Sequence, residues 1–246
     1  VEQPLLAPLL FRSWAFLMAN ATQFLVGVSL IIAMITVPLI ANTVMGRDPF
    51  TGALWLLRMT GPIPIGALLG GQLLSIRLPN GQPIPMLEIR PITLFGLALI
   101  AVGLFLVSTW DLGVAEPELS VHLAIAGLGF GLVIAPILTR ALSAVKEDYR
   151  GTAASLVVVV RMMGMTLGLA ALSAWGVGHF QVLAAGLEIP IPQPGEAQDA
   201  ALARVVEYND RLNAAGLSLF QDFFRIAAVV SVVALIPALL MREDRE

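Results

Sequence analysis

The sequence predicts an all-α membrane protein built from six transmembrane helices, and three observations carry that prediction. Of the 246 residues, 58% are hydrophobic and only 13% charged, against about 25% charged in a typical soluble domain; mean hydropathy is +0.87. Apolar windows of about 20 residues, the length a helix needs to cross about 30 Å of hydrocarbon, recur along the chain. Between Val121 and Trp175, two such windows flank the charged knot VKEDYRG and carry closely spaced glycines and a deep arginine, Arg161. Glycines of this kind let helices approach closely in lipid, where apolar surface alone gives no drive to associate.

Taken in order, the spans lie within about 14–37, 52–75, 92–109, 120–144, 151–177 and 219–241, one six-helix bundle over 1–246. Their continuous apolarity excludes alternating barrel strands, and the lack of polar outer faces excludes a water-soluble bundle. Pro38 and Pro136 are expected to kink spans one and four. Between spans two and three, SIRLPNGQPIPMLEIRP carries a P-N-G turn signal. The segment 178–218 reads as an outer loop whose Ile189–Gly195 portion is stiff and extended. Within it, AALARVVEYNDRL reads either as a short amphipathic helix at the interface or as an extension of span six.

Charge sets the orientation. With the N-terminus inside, the inner segments hold Arg12, Arg77, Arg90, Lys146, Arg150, Arg242 and Arg245, and the outer ones only Arg47, Arg204 and Arg211. This asymmetry places both termini in the cytoplasm and the chain in the inner (plasma) membrane. The start at Val1 suits a processed, truncated or split chain. No basic tract points to nucleic acid. The lack of cysteine excludes disulfides and thiolate metal sites, and neither a histidine pair for a metal, a phosphate loop nor a nucleophile–base set is present. The expectation is a non-enzyme without cofactor or metal, whose first partner is the lipid bilayer.

Three groups of residues stand out. Gly66 and Gly70, Gly164 and Gly168, and Gly127, Gly129 and Gly131 read as helix-packing notches. Arg161 lies eleven residues past Arg150, about 16 Å deep at about 1.5 Å per residue, and must face a bundle interior or water. Arg58 lies near the outer end of span two; Arg140, one turn from the inner end of span four, can snorkel to the interface; Arg225 can pair with Asp222. Asn20, Gln23 and Gly27 share a face of span one, which either hydrogen-bonds another helix or walls an aqueous cavity.

On the Gly127–Pro136, Glu147–Gly151 and Arg161/Gly164/Gly168 stretches, on LFRSWAFL, and on GPIPIGALLGG at Gly61–Gly71, the chain resembles the C-terminal six-helix half of a major facilitator superfamily transporter. It is most similar to the fourteen-helix drug:proton antiporter branch. The family's turn after its second helix keeps Gly71, Leu73 and Arg77 here but lacks its aspartate (Ser75, Ile76). The resemblance implies two inverted three-helix repeats, and a central cavity with Asn20, Gln23, Arg58, Phe130 and Arg161 as candidates. It further implies proton-coupled efflux of an amphipathic small-molecule substrate, performed with a complementary six- or eight-helix half. The alternative is a transporter-derived, non-transporting structural subunit among other membrane subunits.

Overall fold

The computed structural model describes residues 13–76, 88–187, 189–191 and 197–241. These form α1 (Trp14–Leu39), α2 (Pro49–Thr60), α3 (Pro62–Ser75), α4 (Ile89–Val107), α5 (Glu118–Ser143), α6 (Arg150–Ala184), α7 (Gln198–Val233) and α8 (Leu235–Leu240). With α2–α3 and α7–α8 each read as one broken rod, six helices are long and apolar enough to cross a membrane. The described residues include no strand. The turn after Ile76, the 192–196 stretch and the arginines Arg12, Arg77, Arg242 and Arg245 lie outside the described residues.

Local chemistry explains where the rods start and break. The Ser13 hydroxyl accepts from the Phe16 N–H at 3.4 Å to open α1, and the Asp48 carboxylate accepts from Thr51 N–H at 3.1 Å to open α2, with Pro49 at its first position. Pro38 has no N–H to give the ladder, and α1 runs from there into a π-turn, Ile40–Val44. Pro62 after Gly61 separates α2 from α3.

α1 and α5 are the central rods. α1 packs along α6 and α7, and α5 along α3 and α4. Backbone meets backbone at these contacts. A Cβ on Gly164 would collide with the Phe24 carbonyl, one on Gly168 with Val28, and one on Gly27 with the Arg161 carbonyl. On the other side, Gly66 lies against Leu128, Gly70 against Leu132, and Gly131 against the Ile63 carbonyl. Gly127 lies against the Met59 carbonyl and Gly129 against Ile100 of α4.

The two sets correspond one to one. Adding 104 to a residue of α1 gives its equivalent on α5, and subtracting 98 from a residue of α6 gives its equivalent on α3. Phe24–Gly164 becomes Leu128–Gly66, Val28–Gly168 becomes Leu132–Gly70, and Gly27–Arg161 becomes Gly131–Ile63. Spans one to three therefore repeat as spans four to six. Because each repeat has an odd number of crossings, the two run in opposite senses.

Two rods outrun the bilayer. α6 has 35 residues and α7 has 36, about 52 and 54 Å at about 1.5 Å per residue, against about 30 Å of hydrocarbon. The segment from Gly178 expected as loop is helical as far as Ala184. The stretch 201–212 belongs to a continuous α7 instead of a separate interfacial helix. Its apolar residues continue the same rod, so no break is required.

A Gly127→Ala substitution puts a methyl into the Met59 backbone and is expected to destabilise by about 1–3 kcal/mol. Gly151→Ala, with nothing within 4 Å, is expected to be neutral or stabilising by up to about 1 kcal/mol. Thermal unfolding in detergent checks both.

Candidate functional site

The mid-depth polar residues cluster on the α1–α6 seam. α1 and α6 run parallel, with Gly164 beside Phe24 and Gly168 beside Val28. Arg161 itself stands beside Gly27, its Cα 3.3 Å from where a Cβ of Gly27 would lie, about one turn past Gln23 on the neighbouring rod. Arg161 follows Val157 and precedes Gly164 and Gly168 on the stripe that α6 turns toward α1, and it is half-buried, while Met162 and Met163 beside it are 58% and 52% exposed. Among the described residues its guanidinium has no ion pair. On α1, Asn20 donates its amide to the Phe16 carbonyl at 2.8 Å, and its own Oδ1 is buried without a partner, as is Oε1 of Gln23. A cation and two idle acceptors thus lie within about two helical turns of one another.

The pseudo-symmetry shows that packing does not require this polarity. At the equivalent α5–α3 crossing the places of Asn20, Gln23 and Arg161 are taken by Ala124, Gly127 and Ile63. The same backbone crossing is built there from apolar residues.

Asn20 and Gln23 are buried within the bundle, 8% and 2% exposed, and do not line an open face of it. The other candidates sit elsewhere. Phe130, 1% exposed, is a core residue of the bundle, where its ring fills space between central rods. Arg58 pairs with Glu116, tying α2 to the segment before α5. Arg140, expected to snorkel, is instead 9% exposed, with Nε and Nη2 lacking partners. Helix packing around it outweighs the reach of its side chain. Asp222 accepts from Arg225 at 2.8 Å.

Sequence reasoning did not pick out the cluster at the end of the bundle where α1 finishes. His179 Nε2 lies 3.1 Å from Asp222 Oδ2, its ring is stacked on Trp175 at 4.4 Å, and Phe223 fills the notch at Gly176. This is the polar tie between α6 and α7. Trp110, 1% exposed, donates Nε1–H to His122 Nδ1 at 3.1 Å, and its carbonyl accepts from Gln221 at 2.7 Å. Neither tie has a local signal, since the partners are 43 and 111 residues apart. No group of three or more His, Cys, Asp or Glu among the described residues could hold a metal.

The class that these features define is a six-span α-helical membrane protein with an internal inverted repeat and one polar niche at mid-depth. No family model matches the chain. The chain is 34% identical to a triacylglyceride transporter of Mycolicibacterium smegmatis, over 98% of this chain and 43% of that protein. It is 34% identical to one of Mycolicibacterium hassiacum (98% and 46%) and 31% identical to one of Mycobacterium tuberculosis (94% and 44%). It spans less than half the length of these curated relatives.

Gln23→Leu removes a buried acceptor that has no donor and is expected to stabilise the fold by about 1 kcal/mol. Asp222→Asn is expected to weaken the α6–α7 tie by about 0.5–1 kcal/mol and to speed amide exchange over 177–184. Thermal unfolding reads the first and hydrogen exchange the second.

Proposed function

We propose that this chain is one six-helix half of a secondary transporter that moves a neutral, ester-containing lipid across the membrane by alternating access against a second half. One observation carries the reading: Asn20, Gln23 and Arg161 stand where the equivalent α5–α3 crossing has Ala124, Gly127 and Ile63. Buried polarity that the fold does not need, and that costs stability, fits a substrate-handling role. Arg161 offers donors to oxygens that only accept, and ester carbonyls are of that kind. The relatives named triacylglyceride transporters support the substrate class, which narrows the amphipathic small molecule implied by the family resemblance.

Length supports the second half. The chain matches less than half of each of these relatives. Beside Arg161, α6 exposes Val158, Val159, Met162, Met163 and Leu167, and α2–α3 expose Leu57, Ile65, Leu68 and Leu69. In this reading a partner half covers these faces and supplies the counter-charge for Arg161 and the carboxylate for proton coupling. The termini are cytoplasmic and the membrane is the inner one, as the positive-inside asymmetry supports. The far parts of α6 and α7, with Val177, Val182, Val205 and Val206 exposed, extend an apolar track past the outer headgroups.

The test is lipid transfer by the full-length protein in vesicles loaded with a fluorescent triacylglyceride. Arg161→Ala is expected to lower the rate at least about tenfold, the effect of losing one charged hydrogen bond worth about 1.5–3 kcal/mol, with expression unchanged. Transfer at the parental rate by that variant would contradict the reading, and no transfer by the parent would favour a non-transporting subunit.

A further inference from the structure

The near end of the bundle, where α1 and α4 begin, carries cationic groups that the transport reading does not use. Arg90 stands in the first turn of α4, exposed and without an ion pair among the described residues. A cation at a helix N-terminus opposes the macrodipole, so it does not serve the helix. Glu88 at the N-cap makes no side-chain capping bond, leaving the N–H groups of Ile89 and Arg90 without a helical acceptor; Pro91 has no N–H, and Ile92 donates to the Glu88 carbonyl at 3.4 Å.

Arg140 supplies a second, independent observation. α4 and α5 run antiparallel, with Gly103 against Ala126 and Gly96 against Val133. Each pair sums to 229, so Arg140 falls opposite Ile89, the first residue of α4. It is 9% exposed, and its Nε and Nη2 have no partner. A buried guanidinium left without a counter-charge is costly.

Beside this helix end lies a groove of about 610 Å³ between Trp14, Arg90, Leu239 and Leu240. Its apolar walls are exposed, Trp14 at 54% and Leu240 at 45%. The Trp14 indole N–H donates to the Leu240 carbonyl at 3.2 Å, which fixes the ring at the rim. Among the described residues Glu88 is the carboxylate at this helix end.

We propose that this end of the bundle binds the phosphate of an anionic phospholipid. Arg90, Arg140 and the first turn of α4 hold the phosphate, and Trp14, Leu239 and Leu240 lie along the acyl chains. Arginine meets phosphate through paired N–H bonds, and basic pockets between membrane helices are suited to such headgroups. The apolar groove selects a lipid over a soluble phosphate ester. The site needs only that the chain lies in a bilayer, so it stands apart from the transport reading.

Native mass spectrometry of the intact detergent-purified protein tests it, with titration by phosphatidylglycerol, phosphatidylcholine and sn-glycerol 3-phosphate. Phosphatidylglycerol is expected to bind at least about tenfold more tightly than phosphatidylcholine, and Arg90→Gln to lose about tenfold of that. Arg140→Gln is expected to do the same where it folds; Arg90, being exposed, keeps the test decisive if Arg140→Gln does not. Arg47→Gln, at the opposite end, is expected to leave binding unchanged. Equal binding of the two lipids, or full binding by Arg90→Gln, would overturn the site. Glycerol phosphate binding as tightly as phosphatidylglycerol would overturn the lipid assignment. No triacylglyceride transfer by the parent protein, with lipid binding intact, would count against the transport reading alone.

Discussion

Backbone-to-backbone contact through glycine is the constraint on which the rest of the structure depends. Lipid tails are as apolar as leucine, so helices in a bilayer gain little by merely hiding hydrophobic surface from one another. What remains is dense packing, and that needs the axes to come close. Gly164, Gly168 and Gly27 do this for α1 and α6, and Gly66, Gly70 and Gly131 for α3 and α5. Each is a place where one added methyl would strike a main-chain atom or a fixed side chain.

Because the same crossing is made twice, the molecule contains its own control. Where the α1–α6 crossing is more polar than the α5–α3 one, the crossing itself does not require it. Asn20, Gln23 and Arg161 are such a departure. The stability that Asn20 and Gln23 forfeit as buried acceptors without donors is the kind of deficit found at functional sites. The long α6 and α7, tied by His179 and Asp222, add reach without adding to the core.

Much of the architecture was legible in the sequence, because a bilayer leaves so few options. Unbroken apolar runs gave six helices, and GxxxG spacing picked out the notches. The site was legible only as residue types. That Arg161 turns toward α1 follows from its place between Val157 and Gly164 on a single stripe. That Arg140 is buried depends on how α4 lies against α5, which no local pattern encodes. The length of α7 was hidden for a related reason: its first turns are amphipathic and its last are apolar, so hydropathy marks a boundary where the backbone has none. His179–Asp222 and Trp110–Gln221 needed the tertiary fold to bring the partners together.

The account stands or falls on the parallel α1–α6 register, and the chain's lack of cysteine makes that register directly measurable. With one cysteine at Phe24 and a second moved along α6 from Val157 to Gly164, oxidative cross-linking in native membranes should peak at Arg161 and Gly164, the positions that flank Phe24 across the seam. It should be weak at Val158, Val159, Met162 and Met163. A maximum at those exposed positions would mean that α6 presents its other face to α1, and would contradict the seam, the repeat and the niche together.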